Sequence, residues 1–234
     1  MRQVLPLCTL LFASLLWIGA RAAAQADQPG PFPSPSPSVV PAAGNGYVWL
    51  GFNGAGSSGG QVPPRAGSTA TPRPFVNAST TGFSLHLLGR ISDSYLAALK
   101  FEDYSVHGND TPFVSYSQGL VLYNPHASNL AFGVGYLSLQ RSTSSVSVNG
   151  GGFGAMLLPR FKSGASGYAS AFFYPIRSRG STSSISSLEA GVIFSPPRRG
   201  GFFYHAGAFA KNGGNASVSP TQISGLTAGV GASF

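Results

Sequence analysis

The sequence predicts an all-β protein: a closed, antiparallel, up-and-down transmembrane β-barrel of ten strands, with eight as the alternative. Three observations carry this. Segments of about ten residues alternate apolar and polar positions from Gly46 to the last residue. Compact turns between them alternate with longer Gly/Ser-rich connections. Charged residues make up only 9% of the chain while hydrophobic residues make up 43%, so surface charge is not what keeps the protein dispersed.

The chain opens with Arg2, an apolar run from Val4 to Ala20 and the small residues Ala22, Ala23 and Ala24. Residues 1–24 therefore read as a secretory signal peptide. The one cysteine, Cys8, lies inside that run, which leaves the remainder without a thiol, a disulfide or a thiolate metal site. Residues 25–45 contain "DQPGPFPSPSPSVVPAAGN", a Pro/Ser-rich composition without periodicity that predicts an extended periplasmic linker. The barrel is expected over 46–234.

Ten strands are expected there: "GYVWLGFN" (46–53), "GFSLHLLGRI" (82–91), "YLAALKFEDYSV" (95–106), "PFVSYSQGLVLY" (112–123) and "LAFGVGYLSLQ" (130–140), then "VSVNGGGFGAMLLPRF" (146–161), "GYASAFFYPIR" (167–177), "ISSLEAGVIF" (185–194), "FFYHAGAFAK" (202–211) and "QISGLTAGVGASF" (222–234). The turns "SDS", "NPHASN", "KSGAS" and "SPPRRGG" form the compact class; residues 54–80, "HGND", "RSTSS", "SRGSTSS" and "NGGNASVSPT" form the longer class.

On the second strand Phe83, Leu85, Leu87 and Ile91 share one face, and Ser84, His86 and Arg90 the other. On the third, Tyr95, Ala97, Leu99 and Phe101 alternate with Ala98, Lys100 and Glu102; on the eighth, Leu188, Ala190, Val192 and Phe194 alternate with Ser187, Glu189 and Gly191. The polar face is rich in Gly, Ser and Ala, which predicts the inside of a narrow cylinder where small side chains fit side by side. The faces of "ASAFFYPI" and "FFYHAGAFA" are left unassigned, because both alternate badly. If the inward positions are even-numbered on the second and third strands, a three-residue loop at 92–94 sets His86 opposite Lys100 and Ser84 opposite Glu102.

The chain ends with Leu226, Ala228, Val230, Ala232 and Phe234 on one face of the last strand. With the leader and the turn alternation, this closing "LTAGVGASF" resembles small Gram-negative outer-membrane barrels of the opacity type and the outer-membrane-protein-A type. The resemblance implies an integral outer-membrane protein whose terminal residues are read by the barrel-assembly machinery. It also implies contact with outer-membrane lipid and lipopolysaccharide. The last strand should pair with the first, because an open edge leaves backbone groups unsatisfied in hydrocarbon, and Phe234 should lie in an aromatic girdle near Tyr47 or Trp49.

Three sets of residues are candidates for chemistry. His86, Arg90, Lys100, Glu102, Glu189 and His205 are expected as an interior polar network of mutually neutralising charges. Arg65, Arg73, Arg141, Arg177, Arg179 and Lys211 fall in or beside the longer connections and are expected to meet lipopolysaccharide phosphates. His126 and Ser128 in "NPHASN" resemble the His-x-Ser-Asn stretch of outer-membrane lipid A deacylases, but no acid stands nearby to orient the histidine. The alternatives carried forward are that lipid A-modifying hydrolase and a secreted soluble β-sandwich binding protein. The leading expectation is a non-catalytic barrel with a structural, adhesive or narrow-porin role and no cofactor or metal. Beyond residue 24, 12 basic residues stand against 6 acidic ones, without the aromatic-laced basic cluster of a nucleic-acid surface.

Overall fold

The computed structural model describes residues 46–59, 61–62, 69, 71, 73–74, 77–107, 113–125, 128–141, 148–159, 164–178, 181–195, 201–213 and 222–234. The expected signal peptide and linker lie outside the described residues. Ten strands form one closed antiparallel barrel: β1 (Gly46–Ser58), β4 (Ala78–Ser92), β5 (Tyr95–Val106), β6 (Phe113–Tyr123), β7 (Leu130–Arg141), β8 (Val148–Leu157), β9 (Gly164–Ser178), β10 (Ser181–Ser195), β11 (Phe202–Gly213) and β12 (Gln222–Ser233). Within the longest connection, β2 (Gln61–Val62) and β3 (Arg73–Pro74) pair as a separate ribbon.

Each strand pairs with its sequence neighbour in the wall, and β12 closes on β1, with Val48 opposite Ala232 and Phe52 opposite Ala228. Stepping across the paired positions from Ser58 through Gln222, Asn212, Ser186, Phe173, Phe153, Val134, Val121, Ala97 and Gly89 returns to β1 at Gly46, twelve residues from the start. That offset over ten strands corresponds to a strand tilt of about 40°. A twelve-residue strand then rises about 30 Å along the axis.

The register expected between the second and third wall strands is present: His86 opposes Lys100 and Ser84 opposes Glu102. The loop differs in form. Ser92 pairs with Tyr95, leaving a two-residue turn, and a bulge between Arg90 and Ser92 restores the even-to-even pairing. Several strands run past their expected ends, β1 to Ser58 and β4 back to Ala78, because the ladder continues where Ser, Thr and Gly erase the apolar alternation. The connection expected at "SRGSTSS" shrinks to residues 179–180, since Ser178 pairs with Ser181.

The outer wall is apolar, with Phe52 78%, Phe202 71% and Leu226 69% exposed. The interior corrects the expectation of small side chains. Toward the compact turns it holds Tyr47, Leu88, Leu96, Leu122, Ile193 and Phe203, and toward the longer connections Tyr104, Val106, Val114, Leu139, Ile176, Ile185 and Ile223, all buried. The small residues of the inward face are the floor on which these large ones lie. The ring of Phe172 crosses Gly154, Tyr174 crosses Gly152, and the Tyr168 hydroxyl sits over Gly191 and Gly207, where an added Cβ would stand 2.7 and 2.6 Å away.

This packing also explains the two unassigned strands. β9 turns Tyr168, Phe172, Tyr174 and Ile176 inward, and β11 turns Phe203, His205, Phe209 and Lys211 inward, so both faces of each strand carry aromatic or apolar residues and the polarity signal cancels. A side chain on the floor should be poorly tolerated. Gly191→Val should lower stability by about 1–3 kcal/mol, the usual penalty of overpacking, read as a lower urea midpoint, whereas Gly54→Val, whose Cβ meets nothing within 4 Å, should not.

One seam is incomplete. The β8–β9 ladder spans only Phe153 opposite Phe173 to Leu157 opposite Ala169. Past it Gly150 lies beside Pro175, whose carbonyl oxygen is 3.4 Å from where a Cβ would stand. Proline has no N–H to give to the ladder, and three consecutive glycines at 150–152 give the facing strand little side-chain packing. The β8 amides that face β9 in residues 148–152 should exchange with deuterium several-fold faster than those in 153–157; equal protection would show that the seam is as firmly bonded as the rest.

Candidate functional site

Midway along the barrel, between the two apolar layers, lies a buried polar layer. Parity places it there: positions 84, 86, 100, 102, 118, 187, 189, 205 and 211 all fall on inward faces. Two carboxylates, Glu102 and Glu189, meet two ammonium groups, Lys100 and Lys211, and each of the four is no more than 8% exposed. Lys100 bridges the carboxylates, ion-paired to Glu189 and 3.4 Å from Glu102 Oε1. Lys211 Nζ is 2.5 Å from Glu102 Oε2. The formal charges of this quartet cancel, as burial of unpaired charge would require.

Hydroxyl and amide groups add further hydrogen bonds to this layer. Tyr104 OH donates to Glu102 Oε1 at 3.3 Å, and Tyr168 OH to Glu189 Oε1 at 3.3 Å. Lys211 Nζ donates to Ser187 Oγ at 3.3 Å and stands 4.9 Å from the centre of the Tyr116 ring. Gln118 Nε2 donates to Ser187 Oγ at 3.4 Å, and Tyr174 OH to Gln118 Oε1 at 3.5 Å. His86 Nε2 lies 4.0 Å from Glu189 Oε2. On the compact-turn side the layer meets an aromatic stack. Trp49 lies on Tyr47 with ring centres 4.9 Å apart and on His205 at 4.9 Å, and His205 Nε2 donates to Leu50 O at 3.4 Å.

Of the six residues expected in the interior network, His86, Lys100, Glu102 and Glu189 come together, and His205 joins their edge through Trp49. Arg90 does not join them. Its guanidinium donates to Asp93 O at 2.8 Å and to Asn124 Oδ1 at 3.3 Å, because the bulge beside it brings it to the compact-turn rim. Lys211 corrects the lipopolysaccharide set: it is 2% exposed and paired to Glu102. β11 continues to Gly213, so position 211 shares the inward parity of Phe203 and His205. Counting in twos from His205, which the interior network already includes, reaches it.

The other expected lipopolysaccharide contacts are less closely placed. Arg73 lies in β3, Arg141 ends β7 opposite Val114, and Arg177 pairs with Thr182 near the end of β9. Arg65, Arg179 and His126 lie outside the described residues. Ser128 Oγ donates to Leu130 O at 2.8 Å, and Asn124 Nδ2 donates to Ser128 O at 2.7 Å, so this hydroxyl is engaged in its own turn. The terminal set follows the expected parity, with Leu226 and Val230 on the outer wall and Phe234 40% exposed. Tyr47 and Trp49, expected beside Phe234 in an outer girdle, are buried in the interior instead.

Among the described residues no three His, Cys, Asp or Glu side chains are grouped to hold a metal ion. Comparison with protein-family models, curated proteins and solved structures gives no match to this chain.

Proposed function

We propose that the protein is an integral outer-membrane β-barrel with a non-catalytic, structural or adhesive role. The observation that carries this is the inversion of polarity: Phe52, Phe202 and Leu226 stand exposed on the wall while Lys100, Lys211, Glu102 and Glu189 are enclosed by it. A wall of this kind is unfavourable in water and favourable in hydrocarbon. The strand rise of about 30 Å suits the hydrophobic band of such barrels, about 25 Å tall. The apolar run from Val4 to Ala20 and the alternating Leu226, Ala228, Val230, Ala232 and Phe234 support the reading of export and of recognition by the assembly machinery.

The filled interior favours a closed barrel over the narrow-porin form of this reading. Its working surface is then the set of longer connections, where Arg65, Arg73, Arg141, Arg177 and Arg179 would meet lipopolysaccharide phosphates. The test is threefold. The expressed protein should fractionate with outer membrane and migrate differently on gels with and without heating. In planar bilayers it should give no steady conductance. Replacing the five arginines by glutamine should reduce co-purified lipopolysaccharide. Recovery in the soluble periplasmic fraction would end the membrane reading, and a mass change in lipid A on expression would favour the hydrolase.

A further inference from the structure

A cavity of about 20 Å³ lies where the charged layer meets the aromatic stack, lined among others by Trp49, His86, Gln118, Tyr168, Ser170 and Glu189. Trp49 is 3% exposed, and its indole Nε1 has no hydrogen-bond partner among the described residues. We propose that this cavity is a binding site for a single internal water, held between the Trp49 indole N–H and the Glu189 carboxylate. The proposal concerns the interior alone and does not depend on the membrane reading.

The chemistry of the lining selects the occupant. An indole nitrogen only donates, so the occupant must accept a hydrogen bond. Glu189, with Oε1 taking the Tyr168 hydroxyl and Oε2 paired to Lys100, keeps lone pairs that only a donor can use. A cation cannot accept from the indole, and an anion would face the carboxylate. Water does both. The volume allows about one molecule, since a single water needs roughly 10–15 Å³ of such space, so the site is a bound water and not a file of waters. It turns the unpaired buried donor into a satisfied one, which a polar layer sealed between two apolar layers otherwise leaves uncompensated.

The test uses the full chain carrying Trp17→Phe, so that Trp49 supplies the only indole, ¹⁵N-labelled at tryptophan and folded in detergent micelles. The Trp49 Hε1 resonance is expected to exchange slowly and to show a cross-peak to water in a rotating-frame Overhauser experiment. That cross-peak should persist in Tyr168→Phe, which removes a cavity-lining hydroxyl able to relay it, and disappear in Ser170→Leu, which fills the cavity. A slowly exchanging Hε1 without the cross-peak would overturn the proposal. So would its loss in Tyr168→Phe, its survival in a folded Ser170→Leu, or exchange too fast to observe, which would mean bulk solvent reaches the indole.

Discussion

Replacing Glu102 by leucine is expected to destabilise the barrel by about 3–5 kcal/mol, the penalty of leaving a buried charge without its partner. Lys211 is 2% exposed and would lose its ion-pair partner, keeping Ser187 and the Tyr116 ring beside it. Lys100 would still have Glu189. Lys211→Met should cost less, because Glu102 retains Lys100 at 3.4 Å. The double variant should recover much of the loss, since it removes one charge of each sign and leaves the Lys100 and Glu189 pair balanced. Urea midpoints of the three variants, folded in one detergent, give the comparison. A double variant no more stable than Glu102→Leu alone would mean that the quartet is not a neutralising unit.

The second large effect is expected from deleting Phe234. If the terminal aromatic is an assembly signal, as the proposed function implies, the heat-modifiable, membrane-assembled fraction should fall severely while export continues. Ser233→Ala should change little, because the bond that ties this end of β12 is made by the backbone: Ser233 N donates to Gly201 O at 2.7 Å. The Ser233 hydroxyl only adds a second, longer contact of 3.2 Å to the same oxygen. The two variants separate an effect of the terminal ring from an effect of shortening or fraying β12. Normal assembly of the deletion would remove the signal but not the barrel, whose closure rests on the register of β1 with β12.

The sequence by itself determined the order of the wall strands, their antiparallel succession, and which face of β4, β5 and β10 is outward, while closure of the barrel decided for ten strands over eight. Those features rest on local rules: a period of two, turn chemistry, and the parity that pairs inward residues with inward residues. The same parity sets His86 opposite Lys100. What only the tertiary structure decided is what fills the interior. Whether Gly152 or Gly191 marks open space or the floor under Tyr174 or Tyr168 depends on the strand next to it and on the shear that sets heights across the wall. The grouping of Lys211 with Glu102, and of Trp49 with His205, likewise joins residues more than a hundred positions apart in sequence. Periodicity assigns a side chain to a face, but only closure of the barrel brings opposite walls together, and that closure is what made a lumen that looked small and polar into a packed core with one charged layer.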